Sequence, residues 1–526
     1  MMDKNFTEMI PAEKFEFAQR NEKIHDKKIA SKPVGYFKDA WRRFRKNKSA
    51  VVAFVLIMIL IMFSILIPIF SPYTVKFRDD YYQKTLPKSN LFGWLGWNGC
   101  LTKDVNQSEY DILKSIEQEG NQPIIISESE PFVVTSYVTD DKGVTQEITE
   151  TRYKVTYDTY YRIGSVFKIL PQSEFENILA YQEANHVQIF MPIPQTYNKD
   201  FSSENGGSKF WYKLKDERKE TSGEALRDEN GALVPNYVTD ADPAKGGYTG
   251  SRIAGDNGGA DGNTWYVYAQ KVQGGLRVRI NYFEYYKYVN GAYPFFFFGT
   301  NAYGQDILTC LAIGGRFSFL LAISVCLINF TLGAIYGAIE GYYGGKADMI
   351  MERISDILAS VPFMVVAVLF QMHLSKSVGV LGCLLFAYVL TGWIGMASRV
   401  RMQFYRFKGQ EYVLAARTLG ARDRRLIMKH IFPNSLGTIV TGSVLAIPGV
   451  IFSESMLSYL NIINLETDTN LTSIGTLLAG GQSLLNTYPH IILFPALFIS
   501  ILEISFNLFG NGLRDALNPS LRGADE

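Results

Sequence analysis

Two carboxylates stand where a carboxylate is hard to keep. Glu454, in VIFSESMLSYL, and Glu503, in FISILEISFNLF, lie inside stretches otherwise free of charge. An ionisable group in such a setting is expensive and by default serves function. Each is a candidate pathway residue, able to meet a cationic group within the membrane. Each could equally be a carboxyl hydrogen-bonded to a neighbouring helix, and Pro448 frees a carbonyl upstream of Glu454. Other patterns are weaker. Residues 256 to 263, DNGGADGN, set carboxylates among glycines, but the spacing departs from a calcium loop and no Glu closes it. A glycine-rich turn fits better. The four cysteines form no CxxC and the five histidines are spread along the chain, so no metal site is expected. No GxxxxGK[ST] run occurs, so the chain carries no phosphate loop and no ATPase chemistry of its own.

The elements around these residues are set by pooled apolarity. Mean hydropathy is +0.01 over 526 residues, an average of a polar middle and nearly uncharged blocks. The first block, residues 50 to 70, would span about 31 Å as a helix at roughly 1.5 Å per residue, enough for a bilayer core. It begins after a long polar segment, which marks a retained anchor rather than a signal peptide. Five further spans are expected near residues 317–341, 354–372, 378–398, 436–462 and 489–508. Residues 1 to 49 hold 13 Lys/Arg against 7 Asp/Glu, six of the bases in KDAWRRFRKNK, which puts the N-terminus in the cytoplasm. Six spans return the C-terminus there. The loop between the fourth and fifth spans, residues 399 to 430, holds nine Lys/Arg and two acids, and parity also places it inside. A net charge of +1 argues against a nucleic-acid partner.

The polar middle then falls outside by parity. FVVTSYVT (132–139) and QEITETRYKVTYDTYY (146–161) read as strands joined by a DDKG turn at 140–143. NTWYVYAQKV and GLRVRINYFEYYKYV read as a second hairpin around Gly274 and Gly275, and residues 198 to 262 as mostly loop. The expected division is a cytoplasmic basic segment (1–49), a first span (50–71), an extracytoplasmic inserted domain (72–298), a core with five spans (299–512) containing a loop at 399–434, and a cytoplasmic tail (513–526). The fold class is an α-helical polytopic membrane protein with a large β-rich extracytoplasmic insertion.

Within the basic loop, QEYVLAARTLGARDRRLIMKHIFPNSLGTIV predicts two short helices joined by a tight turn. The first should run from about Gln410 to Thr418, with Gly420 taking the left-handed conformation that ends it. Asp423 suits the next N-cap and Pro433 the first turn of the following span. Ala415 and Ala416 leave one face of the first helix nearly smooth, able to press into a groove on another protein.

Here the residues carry a resemblance. EYVLAARTLGA followed by HIFPN resembles the EAA motif of binding-protein-dependent ABC importers, in the form found in oligopeptide and dipeptide permeases. GTNAYGQDILTCLAIGGRFSF (299–319), GYYGGKADMIMERISDILASVPFMVVA (341–367), ESMLSYLNI (454–462) and FNLFGNGLRDALNP (506–519) resemble further segments of these permeases, in order. The basic N-terminus before one early span looks most like the C-type, OppC-like subunit. The resemblance implies a type I importer permease fold of six transmembrane helices, half of a heterodimeric pore in a bacterial inner membrane. It implies as partners a second homologous permease subunit, two ABC ATPase subunits carrying ATP and magnesium, and an extracytoplasmic solute-binding lipoprotein that delivers peptide. No cofactor is implied on this chain itself. It makes residues 410 to 421 a coupling helix, with Glu411, Ala415, Ala416, Arg417, Gly420 and Ala421 as the coupling residues. LAGGQ (478–482) resembles the ABC signature sequence, but between the fifth and sixth spans it lies outside, away from ATP.

Residues 76 to 298 are unmatched by this resemblance. Leu414 stands where the EAA motif often has Glu, Asn301 where the pattern usually has Asp, and Gln305 where it usually has Arg. Nickel and other small solutes are alternatives within the same family. An ion-coupled secondary transporter would show inverted repeats and more mid-membrane charge.

Overall fold

The computed structural model describes residues 36–120, 123–139, 145–191, 226–231, 250–255, 265–463 and 471–517. A short basic helix, Tyr36–Lys46 (α1), turns at Asn47 into the first long apolar helix, Lys48–Phe70 (α2). The Asn47 side chain accepts from the Ala50 amide and satisfies one of the donors every helix start leaves open.

Two antiparallel sheets follow. In the first, Cys100–Asn106 (β1), Ile125–Glu128 (β2) and Phe132–Thr139 (β3) all pair with the long strand Thr145–Asp158 (β4), and Gln107–Gly120 (α3) packs against it. In the second, the order is Ser165–Leu170 (β5), Gly275–Asn281 (β8), Trp265–Val272 (β7), Gly250–Gly255 (β6), with Gln172–Asn185 (α4) alongside. Both expected hairpins pair as antiparallel strands, although the turn at 140–143 lies outside the described residues, as does the glycine-rich stretch 256–263. One reading is corrected: the NYFEYYKYV end of the second hairpin is a helix, Tyr282–Asn290 (α5). Asn281 caps it by accepting from the Phe283 amide, and Gly291 closes it at φ +75°. Tyr282, Tyr285 and Tyr286 then enter the core with Tyr82, Tyr160 and Phe296, a packing gain that overrides the strand preference of tyrosine.

The remaining chain is helical: Ile307–Tyr343 (α6), Gly345–Ala359 (α7), Phe363–Gly392 (α8), Ile394–Lys408 (α9), Glu411–Thr418 (α10), Asp423–Arg425 (α11) with a π-helical turn Leu426–Ile431, Phe432–Val444 (α12), Ala446–Tyr459 (α13), Ile474–Gly481 (α14) and His490–Leu517 (α15). Among the described residues, five helical runs are long and apolar enough to cross a membrane. The longest, Phe363–Lys408, breaks at Gly379, whose φ of 73° and ψ of 170° are not helical. The Phe363 and Tyr388 rings are 4.6 Å apart, and the Cys383 thiol donates to the Phe370 carbonyl at 3.3 Å. Residues 25 apart in one straight helix would be separated by nearly 40 Å. The run therefore folds back on itself as two antiparallel arms, and the six passes are present.

The passes have a common sense. At one end, the hydroxyls of Ser71 and Thr309 meet at 2.6 Å, joining the end of α2 to the start of α6 beside the two sheets. At the other end, Gly512 of α15 packs on Ala50 of α2, so closely that a methyl on Gly512 would fall 2.1 Å from the Ala50 methyl. Between them, Gly333, Gly337 and Gly341 form a four-residue stripe along α6 against which α9 lies. A Cβ at Gly337 would sit 2.2 Å from the Ala397 carbonyl oxygen. Small residues at this spacing let two helix backbones approach where no hydrophobic drive separates lipid from protein.

Candidate functional site

The loop that follows α9 lies at the end of the bundle opposite the two sheets, beside the C-terminal end of α6. Helix α10 begins at Gln410 as N-cap and ends at Leu419, in close agreement with its expected limits. Gly420 adopts φ +84°, and its amide donates to the Arg417 carbonyl while the Ala421 amide donates to that of Ala416, both at 3.0 Å. These two bonds close a Schellman turn, which requires a left-handed residue at this position. No atom lies within 4 Å of a Cβ built on Gly420, so backbone conformation rather than space demands the glycine.

Val413 anchors the helix from beneath, fully buried with Leu426 and Ile431 of the loop and Val400 and Phe404 of α9. Burying such a side chain contributes roughly 1.5–3 kcal/mol. The two alanines divide: Ala415 is exposed, whereas Ala416 packs partly onto this core with Ala421. The smooth face expected of both is therefore the face of Ala415 alone, and the outer surface adds Glu411, Leu414 and Leu419, the last 88 % exposed.

Asp423 does a different job from the expected one. Arg422 occupies the N-cap position, and the Asp423 carboxylate accepts a 2.5 Å bond from the hydroxyl of Tyr342, at the end of α6. That hydroxyl accepts in turn from the Arg417 guanidinium at 3.3 Å. Tyr342 thus holds both limbs of the loop to the second pass.

A denser charged cluster lies next to it. Arg401 of α9 donates from Nη1 to Glu352 at 2.6 Å and from Nη2 to Asp348 at 2.9 Å, both acids belonging to α7. Glu340 of α6 lies 3.7 Å from the same guanidinium. The Tyr405 hydroxyl donates to Asp348, and Lys408 donates to the Gly341 carbonyl at 2.9 Å. Hydrogen bonding from Arg401 holds the Asp348 carboxyl below its ordinary pKa. Neither Tyr342 nor Arg401 was singled out by sequence reading; the three-glycine stripe ending one residue before Tyr342 was the available clue.

The two membrane carboxylates sit apart from the loop. Glu454 of α13 is fully buried, accepting from Ser318 of α6 at 2.8 Å and from Ser458 at 3.0 Å. In this arrangement its carboxylate joins two passes. Glu503 of α15 is half-buried, with one carboxylate oxygen unpartnered among the described residues. Among the described residues no group of three or more His, Cys, Asp or Glu side chains is placed to hold a metal.

The sequence matches known families in two stretches. The model of the binding-protein-dependent transport system inner membrane component matches residues 329–523, and that of the N-terminal transmembrane domain of oligopeptide transport permease C matches residues 35–87. The oligopeptide transport system permease protein OppC of Bacillus subtilis is 43% identical over 225 residues, 43% of this chain and 72% of that protein. OppC of Haemophilus influenzae is 42% identical over 226 residues, 43% of this chain and 71% of that protein, and the dipeptide permease DppC of B. subtilis 39% identical over 226, covering 43% and 69%. Among solved structures, an inward-facing MetNI methionine ABC transporter chain aligns with 40% of this chain and 96% of its own length at TM-score 0.33 and 16% identity. At that score no structural detail carries across. The curated matches establish that the chain belongs to the binding-protein-dependent transport system inner membrane components, the transmembrane permease subunits, with the OppC and DppC permeases as its relatives.

Proposed function

We propose that this chain is one of two permease subunits of an ABC importer for oligopeptides, and that α10 is the helix through which a partner ATPase moves it. The single observation that carries the mechanism is the construction of the loop: a short exposed helix, closed by a glycine turn and tied through Tyr342 to the second pass. A load placed on Leu414, Ala415 and Leu419 then reaches α6 through side chains already in contact, rather than being lost in a flexible connection. Arg401 continues the connection to α7 and α9. ATP binding by the partners biases two states of the pore through their differential contact with this loop in each state, and ATP hydrolysis supplies the energy of the cycle.

The OppC and DppC names of the relatives support peptides over nickel as the cargo. The basic segment before α2 and the nine bases around the loop support a cytoplasmic location for that end of the bundle, which leaves the sheets outside. The domain at 72–298, standing at the outer mouth, is proposed to help seat the peptide-delivering lipoprotein. Glu411, Ala415, Ala416, Arg417, Gly420 and Ala421 form the coupling set, and Glu454 and Glu503 remain proposed pathway residues, with Glu454 acting through helix packing in the state described.

The test is co-purification and reconstitution. A tagged chain should bring with it a second permease and two ATPases, and proteoliposomes holding all four should take up labelled peptide with ATP and the binding lipoprotein. ATP-independent uptake that collapses with an ionophore, or a chain that purifies without any ATPase, would overturn the proposal. Deleting residues 120–290 should weaken lipoprotein binding; intact binding and uptake would remove that role from the domain.

A further inference from the structure

The end of the bundle that carries α1 also carries an apolar cavity of about 170 Å³. Trp41 and Phe44 of α1, Phe54 of α2, and Phe509, Leu513 and Leu517 of α15 line it. The aromatic floor is built edge to face: Phe44 lies 6.3 Å from Phe54 and 5.6 Å from Phe509, each near perpendicular, while Trp41 stacks on Phe44 at 5.6 Å. None of these side chains carries a charge, so a water entering would find few of the two to four partners it needs. The volume is below the roughly 300–1,000 Å³ of sites that enclose drug-sized ligands. A slender apolar object fits; a peptide does not.

Position and charge identify that object. The cavity lies between α1 and the first and last passes, near the turn at Asn47 that joins α1 to α2, and the apolar Val52 and Val55 of α2 are 60 % and 48 % exposed. Arg42 and Arg45 each follow a cavity-lining aromatic by one residue, about 100° around the helix, and both side chains are exposed. Lys38, Lys48 and Arg514 add exposed positive charge nearby. Of the acids on these elements, Asp39 is held by Arg43 at 2.8 Å, Asp515 lies exposed beside Arg514, and Glu503 stands ten residues before Leu513 on α15, about 15 Å along the helix. An apolar slot whose first helix also carries exposed guanidinium groups is complementary to a lipid with an anionic head.

We infer that this cavity is a binding site for an anionic phospholipid, taking part of one acyl chain between Trp41, Phe54 and Leu513 while Arg42 and Arg45 hold the headgroup phosphate. Such a lipid completes the packing of α1 on the first and last passes. The inference rests only on the chain spanning a membrane, not on the identity of its cargo or ATPase.

Native mass spectrometry of the detergent-purified full chain, titrated with phosphatidylglycerol or with phosphatidylcholine of the same chains, tests it. Phosphatidylglycerol should bind about tenfold more tightly. Leu513→Trp, which fills the slot, should abolish tight binding, whereas Leu513→Met should leave it. The exposed double variant Arg42→Glu/Arg45→Glu, which has no fold to lose at those side chains, should bring phosphatidylglycerol down to the level of phosphatidylcholine. Equal binding of the two lipids by the natural chain, undiminished phosphatidylglycerol binding by Leu513→Trp or by the double arginine variant, or displacement of the lipid by glycerol phosphate alone would each overturn the inference.

Discussion

The amide nitrogen of Asn301 donates to the amide oxygen of Gln305 across 2.8 Å, in a buried pocket between the first and second passes. Gln305 also donates to the Val75 carbonyl, and the Asn301 oxygen accepts from the Tyr303 and Gln305 amides. These are the two positions at which the pattern this stretch resembles would have Asp and Arg. In this chain the two departures from that pattern meet in one neutral contact. Gln305→Arg alone should bury an unpaired guanidinium and destabilise by about 3–5 kcal/mol. Asn301→Asp/Gln305→Arg should recover most of that loss. Thermal unfolding of the detergent-purified chain followed by size exclusion measures both; two variants equally impaired would show that the positions are not coupled.

Tyr342→Phe removes the hydroxyl that holds Arg417 and Asp423 and leaves the ring in the core. With a net worth of about 0.5–1.5 kcal/mol for an ordinary hydrogen bond and more for one to a charged group, the loop should open several-fold more often. Trypsin cleavage after Arg417, Arg422, Arg424 or Arg425 should quicken accordingly, and in the assembled importer peptide uptake should fall more than ATP hydrolysis. Cleavage at the natural rate would mean that Tyr342 does not hold the loop.

At Gly420 the open space around a built Cβ makes the prediction one of backbone alone. A left-handed conformation costs an L-residue roughly 1–2 kcal/mol and a β-branched one more. Uptake per ATP hydrolysed should therefore fall in the order glycine, asparagine, alanine, valine, with the protein still present in the membrane. Normal transport by Gly420→Val would remove this turn from the coupling mechanism.

Gly420 was legible because its role is local: a glycine after a short helix and before a basic run is a helix-end pattern whatever surrounds it. The apolar spans were legible for the same reason, since twenty uncharged residues need no partner to identify them. The Gly379 reversal falls two residues past the short gap expected between the third and fourth spans, at the start of the expected fourth span. The segment at 282–290 was misread because its tyrosines favour strands in isolation, and only the second core makes them helical. Asp423 looked like a cap from its neighbours, but Tyr342, 81 positions away, claims its carboxylate. Likewise the partners of Arg401 lie on α7, across a pass, and no local pattern announces them.

The Arg401 cluster has a defined pH range. Asp348 has a lowered pKa in the folded protein because Arg401 bonds its ionised form. Its contribution is therefore fully present above the ordinary value near 4 and is lost as pH falls through the lowered one. At neutral pH the clamp is intact, and Arg401→Gln should lower thermal stability there, while the difference from the natural chain should shrink as the pH is brought below about 4. A difference that stays constant down to pH 3 would assign the loss to packing of the side chain and not to its charge.

The glycine stripe of α6 supplies a control within its own interface. Gly337 faces the Ala397 carbonyl so closely that a methyl would lie 2.2 Å from it, and the obstacle is backbone, which cannot rotate away as a side chain would. Gly395, on the helix opposite, has no atom within 4 Å of a built Cβ. Both are glycines inside helices, so alanine improves intrinsic helix propensity by about 1 kcal/mol at each. Overpacking of about 1–3 kcal/mol opposes that gain only at Gly337. Gly337→Ala should lower the unfolding temperature and Gly395→Ala should hold or raise it. Because the two changes are chemically identical, a drop for both would mean that helix flexibility matters here, whereas a drop for Gly337 alone locates the effect in the approach of α9 to α6. That same approach fixes where Tyr342 and Arg401 meet their partners, so the Gly337 variant should also quicken trypsin cleavage of the loop, two turns away.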